Sequence, residues 1–327
     1  MKRAYRAAIV GLGNIAWRFD CGQGAGQGSL SHASAYVRNS RTILVGGCSP
    51  DAGDRSAFQK AFGVSAYASL SDMLDYASPD IVSIASPAPW HFSQTLACLE
   101  KKVPMIWLEK PAAGSLQELD RLLEISRQVR STVVVNFQRR YCTAYHNLRR
   151  VYQEQRLGIC GLIQLNYSRG LEVNGAHILD MLFFVTGDQE QWRLEWASAD
   201  GDRDNPCFSL VLANGPRVMV SGLSLPYHCI DMALTCDQGR VSMLHGGMTP
   251  VVEERVEHEL FPGFYRLRHT GDDILGASGL AGSMAAALDD LLDAFEQRRE
   301  PVSTLKTARA SLALIEEVRA RQGRVEA

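Results

Sequence analysis

Residues 7–16 read Ala-Ala-Ile-Val-Gly-Leu-Gly-Asn-Ile-Ala. An apolar run that stops at Gly11 is a strand meeting a tight turn, and Gly11, Gly13 and Ala16 then spell G-x-G-x-x-A where a helix should start. Each small residue has its reason. The first lets the chain turn, the second lets backbone approach a pyrophosphate, and the third lets helix pack closely on sheet. The amides of Asn14 and Ile15 fall at the positive end of that helix, where a phosphate is stabilised. The stretch predicts a strand-turn-helix unit that holds a dinucleotide.

Outward from this unit, apolar runs at 42–47, 80–85 and 104–108 alternate with helical patterns such as 92–101 and 115–130, and 131–137 reads as a last strand. Alternation of this kind implies a doubly wound parallel sheet. Beyond residue 161 the pattern changes to strand-like segments at 162–169, 208–213, 217–223, 231–236 and 240–244, joined by Gly, Asn, Asp and Pro turns. The expectation is an α/β Rossmann domain over 1–130 and an α+β domain with a large, mainly antiparallel sheet over 131–327. Two amphipathic patterns, 283–298 and 303–322, close the chain, and the second is expected to pack back on the body. Residues 22–28, a Gly- and Gln-rich stretch, interrupt the first helix, as a surface insertion or as a flap over a ligand.

Length and composition narrow the function classes. At 327 residues, two cores and a cleft are expected, and a formal net charge of -2 gives no electrostatic footprint for nucleic acid. The basic and then apolar start reaches Gly11 too soon for a signal core or a membrane span, so a cytoplasmic protein without a membrane partner is expected. Eight cysteines form no C-x-x-C pair and stand at no metal-ligand spacing from a histidine, which suggests reduced thiols and no metal. At 47–51 the sequence is Gly-Cys-Ser-Pro-Asp, with Arg55 beyond. An acid at the strand end selects NAD and Ser or Arg tolerates a 2′-phosphate, so Ser49 leaves NAD or NADP open.

Further motifs follow in order: Ala85-Ser86-Pro87 with His91, Trp107-Leu108-Glu109-Lys110-Pro111, Asn136-Phe137-Gln138-Arg139-Arg140-Tyr141, and Asn174-Gly175-Ala176-His177-Ile178-Leu179-Asp180. With the N-terminal G-x-G-x-x-A they resemble the glucose-fructose oxidoreductase, inositol dehydrogenase and rhizopine catabolism family (Gfo/Idh/MocA). The resemblance implies cofactor contacts at Gly11, Gly13, Asn14, Ile15, Ser49, Ser86, Pro87, His91, Glu109 and Lys110. It implies a catalytic pair, Lys110 and His177, sharing a substrate oxygen beside the nicotinamide, because oxidising a secondary alcohol requires removal of the hydroxyl proton as the carbonyl forms. Substrate contacts are implied at Lys110, Arg139, Arg140, Tyr167, Asn174 and His177. The two arginines suit a phosphate or carboxylate, or alternatively an inter-domain salt bridge.

Many relatives carry aspartate four residues before the histidine; here Val173 stands there. The Asn-Gly-Ala-His segment is similar to a branch associated with polysaccharide and sugar-nucleotide genes. The function implied is an NAD(P)-dependent oxidoreductase acting on a small sugar-like molecule or cyclitol, assembled as a homodimer or homotetramer through the C-terminal sheet. The rivals are a non-catalytic sensor of nucleotide or sugar, favoured by Val173, and an enzyme acting on a non-sugar substrate. His32, His146, His228, His245, His258 and His269 receive no role, and Trp90 and Trp107 are read as packing residues.

Overall fold

A computed structural model describes residues 3–21, 28–187, 191–198, 202–213, 215–271 and 274–323. Residues 22–27 of the expected insertion lie outside the described residues. The chain divides into two compact units: Met1–Tyr141 with Ala281–Arg309, and Cys142–Leu280 with Ala310–Ala327.

The first unit contains β1 (Tyr5–Val10), α1 (His32–Arg38), β2 (Thr42–Cys48), α2 (Ala52–Phe62), β3 (Ser65–Tyr67), α3 (Leu70–Ala77), β4 (Ile81–Ile84), α4 (His91–Glu100), β5 (Met105–Leu108), α5 (Leu116–Val129) and β6 (Thr132–Val135). All neighbouring strands are parallel, in the order β3-β2-β1-β4-β5-β6. This is the doubly wound order of a dinucleotide-binding sheet. β4 and β5 are buried along their whole length, as strands covered on both faces must be. Ser31, Asp51, Ser69 and Ser115 each accept the amide three residues on and so start α1, α2, α3 and α5.

Two boundaries differ from expectation. The expected division at 130/131 falls before β6, which pairs with β5 and completes the Rossmann sheet. The unit also recovers α8 (Ser283–Gln297) from the far end of the chain. Met284, Ala287, Leu288, Leu291 and Leu292 of α8 enter the same core as Tyr36, Trp107 and Val134. The second difference is in the first helix. After the glycine turn the described residues make a short 3-10 segment, Arg18–Asp20, and α1 begins at His32. Yet the amides of His32 and Ala33 bond the carbonyls of Ile15 and Ala16 at 3.1 and 2.9 Å, so α1 resumes the interrupted helical path. Asp20 accepts the Leu30 amide and the Ser31 hydroxyl just ahead of α1.

The second unit holds α6 (Thr143–Gln153), β7 (Cys160–Ser168), α7 (Ala176–Thr186), β8 (Trp192–Ala197), β9 (Phe208–Leu212), β10 (Arg217–Leu223), β11 (Ile230–Cys236), β12 (Gly239–Leu244), β13 (Thr249–Glu257) and β14 (Tyr265–His269). Its eight strands run β14-β13-β12-β11-β7-β10-β9-β8, antiparallel apart from the β7–β10 pair. The mainly antiparallel sheet expected from the sequence is present. β13 and β14 were not expected. They carry Glu253, Glu254, Arg255, Glu257, Arg266 and Arg268 at one margin of the sheet, where charge discourages edge-to-edge pairing and erases the apolar alternation. The final helix α9 (Leu305–Gly323) starts in the first unit, where Arg309 pairs with Asp120, and ends in the second, where Arg319 pairs with Glu172.

Candidate active site

In the first unit the glycine turn, the turn after β4 and the segment after β5 lie at the same end of the parallel sheet, where ligands of such sheets bind. Gly11 has φ 83°, and a Cβ there would lie 2.4 Å from the Ser86 Cα and backbone nitrogen. The first glycine is therefore required twice, by its own conformation and by the passage of the β4 turn. At Gly13 a Cβ would meet nothing within 4 Å. That open space, bordered by the turn of Asn14 and Ile15, is where a pyrophosphate has room to approach backbone. The glycine turn thus has the space that a dinucleotide's pyrophosphate needs.

At the end of β2, Ser49 is buried and its hydroxyl donates to Asp54 at 3.3 Å. Asp54 is also paired with Arg18, and Arg55 reaches the carbonyls of Ser49 and Pro50 at 2.8 Å each. Asp51 is occupied as the cap of α2. The acidic group beside the strand end is thus Asp54, which sequence spacing did not single out.

The segment Glu109-Lys110-Pro111 leaves β5, and Glu109 points into the protein. Its carboxylate accepts from His32 Nε2 at 3.1 Å and from the Asn136 amide. His32 Nδ1 lies 2.9 Å from the Ser83 hydroxyl, which lies 2.6 Å from the Tyr36 hydroxyl, while Trp107 donates to Asn136 at 3.2 Å. If Tyr36 donates to Ser83, Ser83 to Nδ1, and Nε2–H to Glu109, every one of these buried groups is satisfied by a neutral imidazole. Burial pushes the Glu109 carboxyl up, but the His32 and Asn136 hydrogen bonds and the Lys110 charge together hold it below the usual carboxylate range. Burial likewise pushes the Lys110 amine below its usual range; Glu109 opposes this and Arg139 adds to it.

His91 is 1% exposed, and its two ring nitrogens lie 2.6 Å from the Pro111 carbonyl and 2.7 Å from the Ser86 carbonyl. It ties together the two turns on which Lys110 and Ser86 stand. Ser86 is further held by Gln94 at 2.6 Å, and Pro87 is exposed. Of the expected cofactor residues, Glu109 and His91 are thus buried supports, with their polar atoms committed to protein partners. Arg139 is half-buried within electrostatic reach of Lys110. Arg140 is 1% exposed, with its guanidinium toward the Val302 carbonyl, so it does not present its charge to a substrate.

In the second unit a π-helical turn, Leu171–Gly175, leads into α7 and sets His177 in the first turn of that helix, half-buried. Such turns are frequent at functional sites. Val173, in the position that many relatives fill with aspartate, is 49% exposed. Asn174 bonds His228 Nδ1 at 3.2 Å and Arg169 bonds His228 Nε2 at 3.2 Å, so His228 organises this polar patch. Tyr167 is fully buried and donates to the Pro206 carbonyl at 2.8 Å. It supports the π-helical turn from beneath, since a Cβ on Gly175 would lie 3.3 Å from its ring. Sequence reasoning missed His32, Asn136, Asp54 and His228; only Asn136 stood inside a quoted motif. Among the described residues no cluster of His, Cys, Asp and Glu could hold a metal, and no helix is long and apolar enough to cross a membrane.

A parallel sheet in this order, an open glycine turn and a partly desolvated lysine past β5 define the nucleotide half of a dehydrogenase-type site. Residues 5–137 match the family model GFO_IDH_MocA, described as Oxidoreductase family, NAD-binding Rossmann fold. The chain is 26% identical over 172 residues to D-glucoside 3-dehydrogenase of Escherichia coli (52% of this chain, 44% of that protein). It is 33% identical over 128 residues to inositol 2-dehydrogenase of Leifsonia xyli (38% of each). It therefore spans less than half the length of these curated relatives. The fold recurs along the chain in the WlbA dehydrogenase from Bordetella pertussis, solved with NADH and UDP-GlcNAcA, at TM-score 0.79, 16% identity and coverage of 99% of this chain and 97% of that one.

Proposed function

We propose that the protein is an NAD(P)-dependent oxidoreductase that moves a hydride between nicotinamide and a secondary hydroxyl or carbonyl of a sugar, a sugar derivative such as a sugar nucleotide, or a cyclitol. The observation that carries this is Lys110. Its amine is partly desolvated at the ligand-binding end of the Rossmann sheet, and the segment that carries it is fixed by Glu109–His32 on one side and by His91 at Pro111 on the other. The bound dinucleotide supplies the hydride acceptor or donor. Lys110 holds the substrate oxygen and steadies the charge that develops on it. Of the two arginines, half-buried Arg139 is a better candidate than Arg140, which is 1% exposed, to meet an anionic substituent. Self-association through the eight-stranded sheet belongs to the same reading, since exposed Trp196 and Met219 both flank Ser209 on one of its faces.

The cofactor half is tested by titrating NADH and NADPH fluorescence. Both are used because Arg55 beside Ser49 suits a 2′-phosphate whereas Asp54 offers a carboxylate to a ribose diol. Gly13→Val is expected to weaken binding roughly tenfold or more, about 1.4 kcal/mol, by filling the space beside the turn. Unchanged affinity would place the dinucleotide elsewhere. Substrate chemistry is tested by following nicotinamide absorbance with a panel of glycosides, sugar nucleotides and cyclitols. Exposed Val173 favours the rival reading, a binding protein, and retained dinucleotide without turnover on any of the panel would support it.

The charges around Lys110 give a signed pH prediction. Arg139→Gln removes an influence that lowers the lysine, so the limb of kcat/KM governed by Lys110 moves to higher pH; Glu109→Gln removes one that raises it, so the limb moves to lower pH. Shifts in the same direction for both variants would show that another group governs the limb.

A further inference from the structure

Two cysteines outside the nucleotide site face each other in the second unit. Cys236, the last residue of β11, is the register partner of Cys160, the first residue of β7, just past an irregularity in that ladder. The next position outward carries a ladder bond from the Asp237 amide to the Ile159 carbonyl, 3.1 Å, and the Ile159 amide is taken by the Asp237 carboxylate at 2.9 Å. Ladder bonds alternate in antiparallel pairs, so the cysteines take the position without them, where opposed Cα atoms stand about 4.5 Å apart. A disulfide needs about 4.4–6.8 Å between Cα atoms. Both thiols are reduced and half-buried, which leaves sulfur within reach of a small reagent, whereas Cys48, Cys98, Cys142 and Cys229 are buried.

We propose that Cys160 and Cys236 are a redox pair that closes to a cross-strand disulfide by exchange with small-molecule disulfides of the glutathione class. Their roles are unequal. Cys160 Sγ donates to the Leu162 carbonyl at 3.6 Å; the neighbouring Cys236 sulfur, with burial, pushes the Cys160 thiol up, while Cys160 holds Cys236 below the usual thiol range against the effect of its burial. Cys236 is therefore the attacking thiolate and Cys160 the resolving group, the arrangement of a sensor cysteine with a partner beside it. In the first step the Cys236 thiolate attacks one sulfur of the small disulfide, forms a mixed disulfide and expels one thiolate. In the second step Cys160 loses its proton, attacks the Cys236 sulfur and expels the other thiolate. The two cysteines lose two electrons and the small disulfide gains them as two thiols. The product staples β7, in the middle of the eight-stranded sheet, to β11.

The test uses the full chain incubated with oxidised glutathione, acid-quenched, unfolded, alkylated and mapped by peptide mass spectrometry. The expected result is loss of two of the eight alkylatable thiols, with the peptides containing Cys160 and Cys236 linked to each other. Cys160→Ser, checked for folding by circular dichroism, is expected to retain glutathione on Cys236 as a mixed disulfide that the natural chain does not accumulate. Alkylation of all eight thiols, a link through any other cysteine, or glutathione resting on Cys236 in the natural chain overturns the proposal. The mapping of the natural chain decides the matter even if the variant does not fold.

Discussion

Replacing Lys110 with alanine is expected to lower turnover by about 10²–10⁴-fold, the range by which a positioned acid/base accelerates proton transfer, while NADH or NADPH affinity stays near that of the natural chain. The split follows from position. Lys110 leaves the end of β5, whereas the backbone proposed to hold the pyrophosphate is Gly11–Ile15, so removing the amine would take a group from the reacting atoms and leave that cradle intact. Lys110→Arg is expected to recover little, because a planar guanidinium stays charged and does not reproduce an amine whose proton affinity has been lowered by burial. Single-turnover kinetics beside fluorescence titration separate the two quantities. Loss of both together, or of neither, would remove Lys110 from the chemistry.

The second large effect is expected at His32. His32→Ala leaves the Glu109 carboxylate buried without the imidazole N–H that it now accepts from, and a buried acceptor stripped of its donor costs about 1–3 kcal/mol, more when it is charged. The loss should appear in denaturant unfolding of the chain. It should also depend on pH with a definite sign. Glu109 is held below its ordinary range in the folded state, so its contribution is complete above the unfolded value and is lost as pH falls through the folded one. The penalty of His32→Ala is therefore expected to shrink in acid, where the orphaned carboxyl is protonated. His32→Gln, which retains a donor, should cost less. An alanine variant as stable as the natural chain at neutral pH would mean that the Tyr36–Ser83–His32–Glu109 chain does not fix the segment carrying Lys110.

The Rossmann sheet was legible because its strands are short apolar runs, buried on both faces and punctuated by glycine. Local sequence settles such elements. The direction of Glu109 was not legible: in a strand with both faces covered the apolar pattern does not alternate, and nothing nearby shows that the carboxylate turns inward. Its partner His32 is 77 positions away in sequence, on a helix that resumes only after an insertion. The same distance hid α8, which closes the first unit's core from beyond residue 280, so a single boundary near residue 130 was the simplest reading and an incomplete one. Arg140 and Tyr167 looked like ligand-binding side chains by type; burial decides otherwise, with each turned toward a backbone carbonyl. His177 and Lys110 were both named from sequence; Lys110 stands just past β5 and His177 in the first turn of α7, each in its own unit.

Hydride transfer to the nicotinamide of a dinucleotide whose pyrophosphate is proposed to sit at Gly11–Ile15 is read most directly by deuterium. A carbohydrate or cyclitol that turns over is labelled at the carbon bearing the reacting hydroxyl, and the reduced dinucleotide is examined by mass spectrometry and proton NMR. Deuterium at C4 of the nicotinamide, retained without exchange into water and accompanied by a slowed chemical step, is the predicted result. Reduced dinucleotide carrying no label, or label found in water, would contradict it.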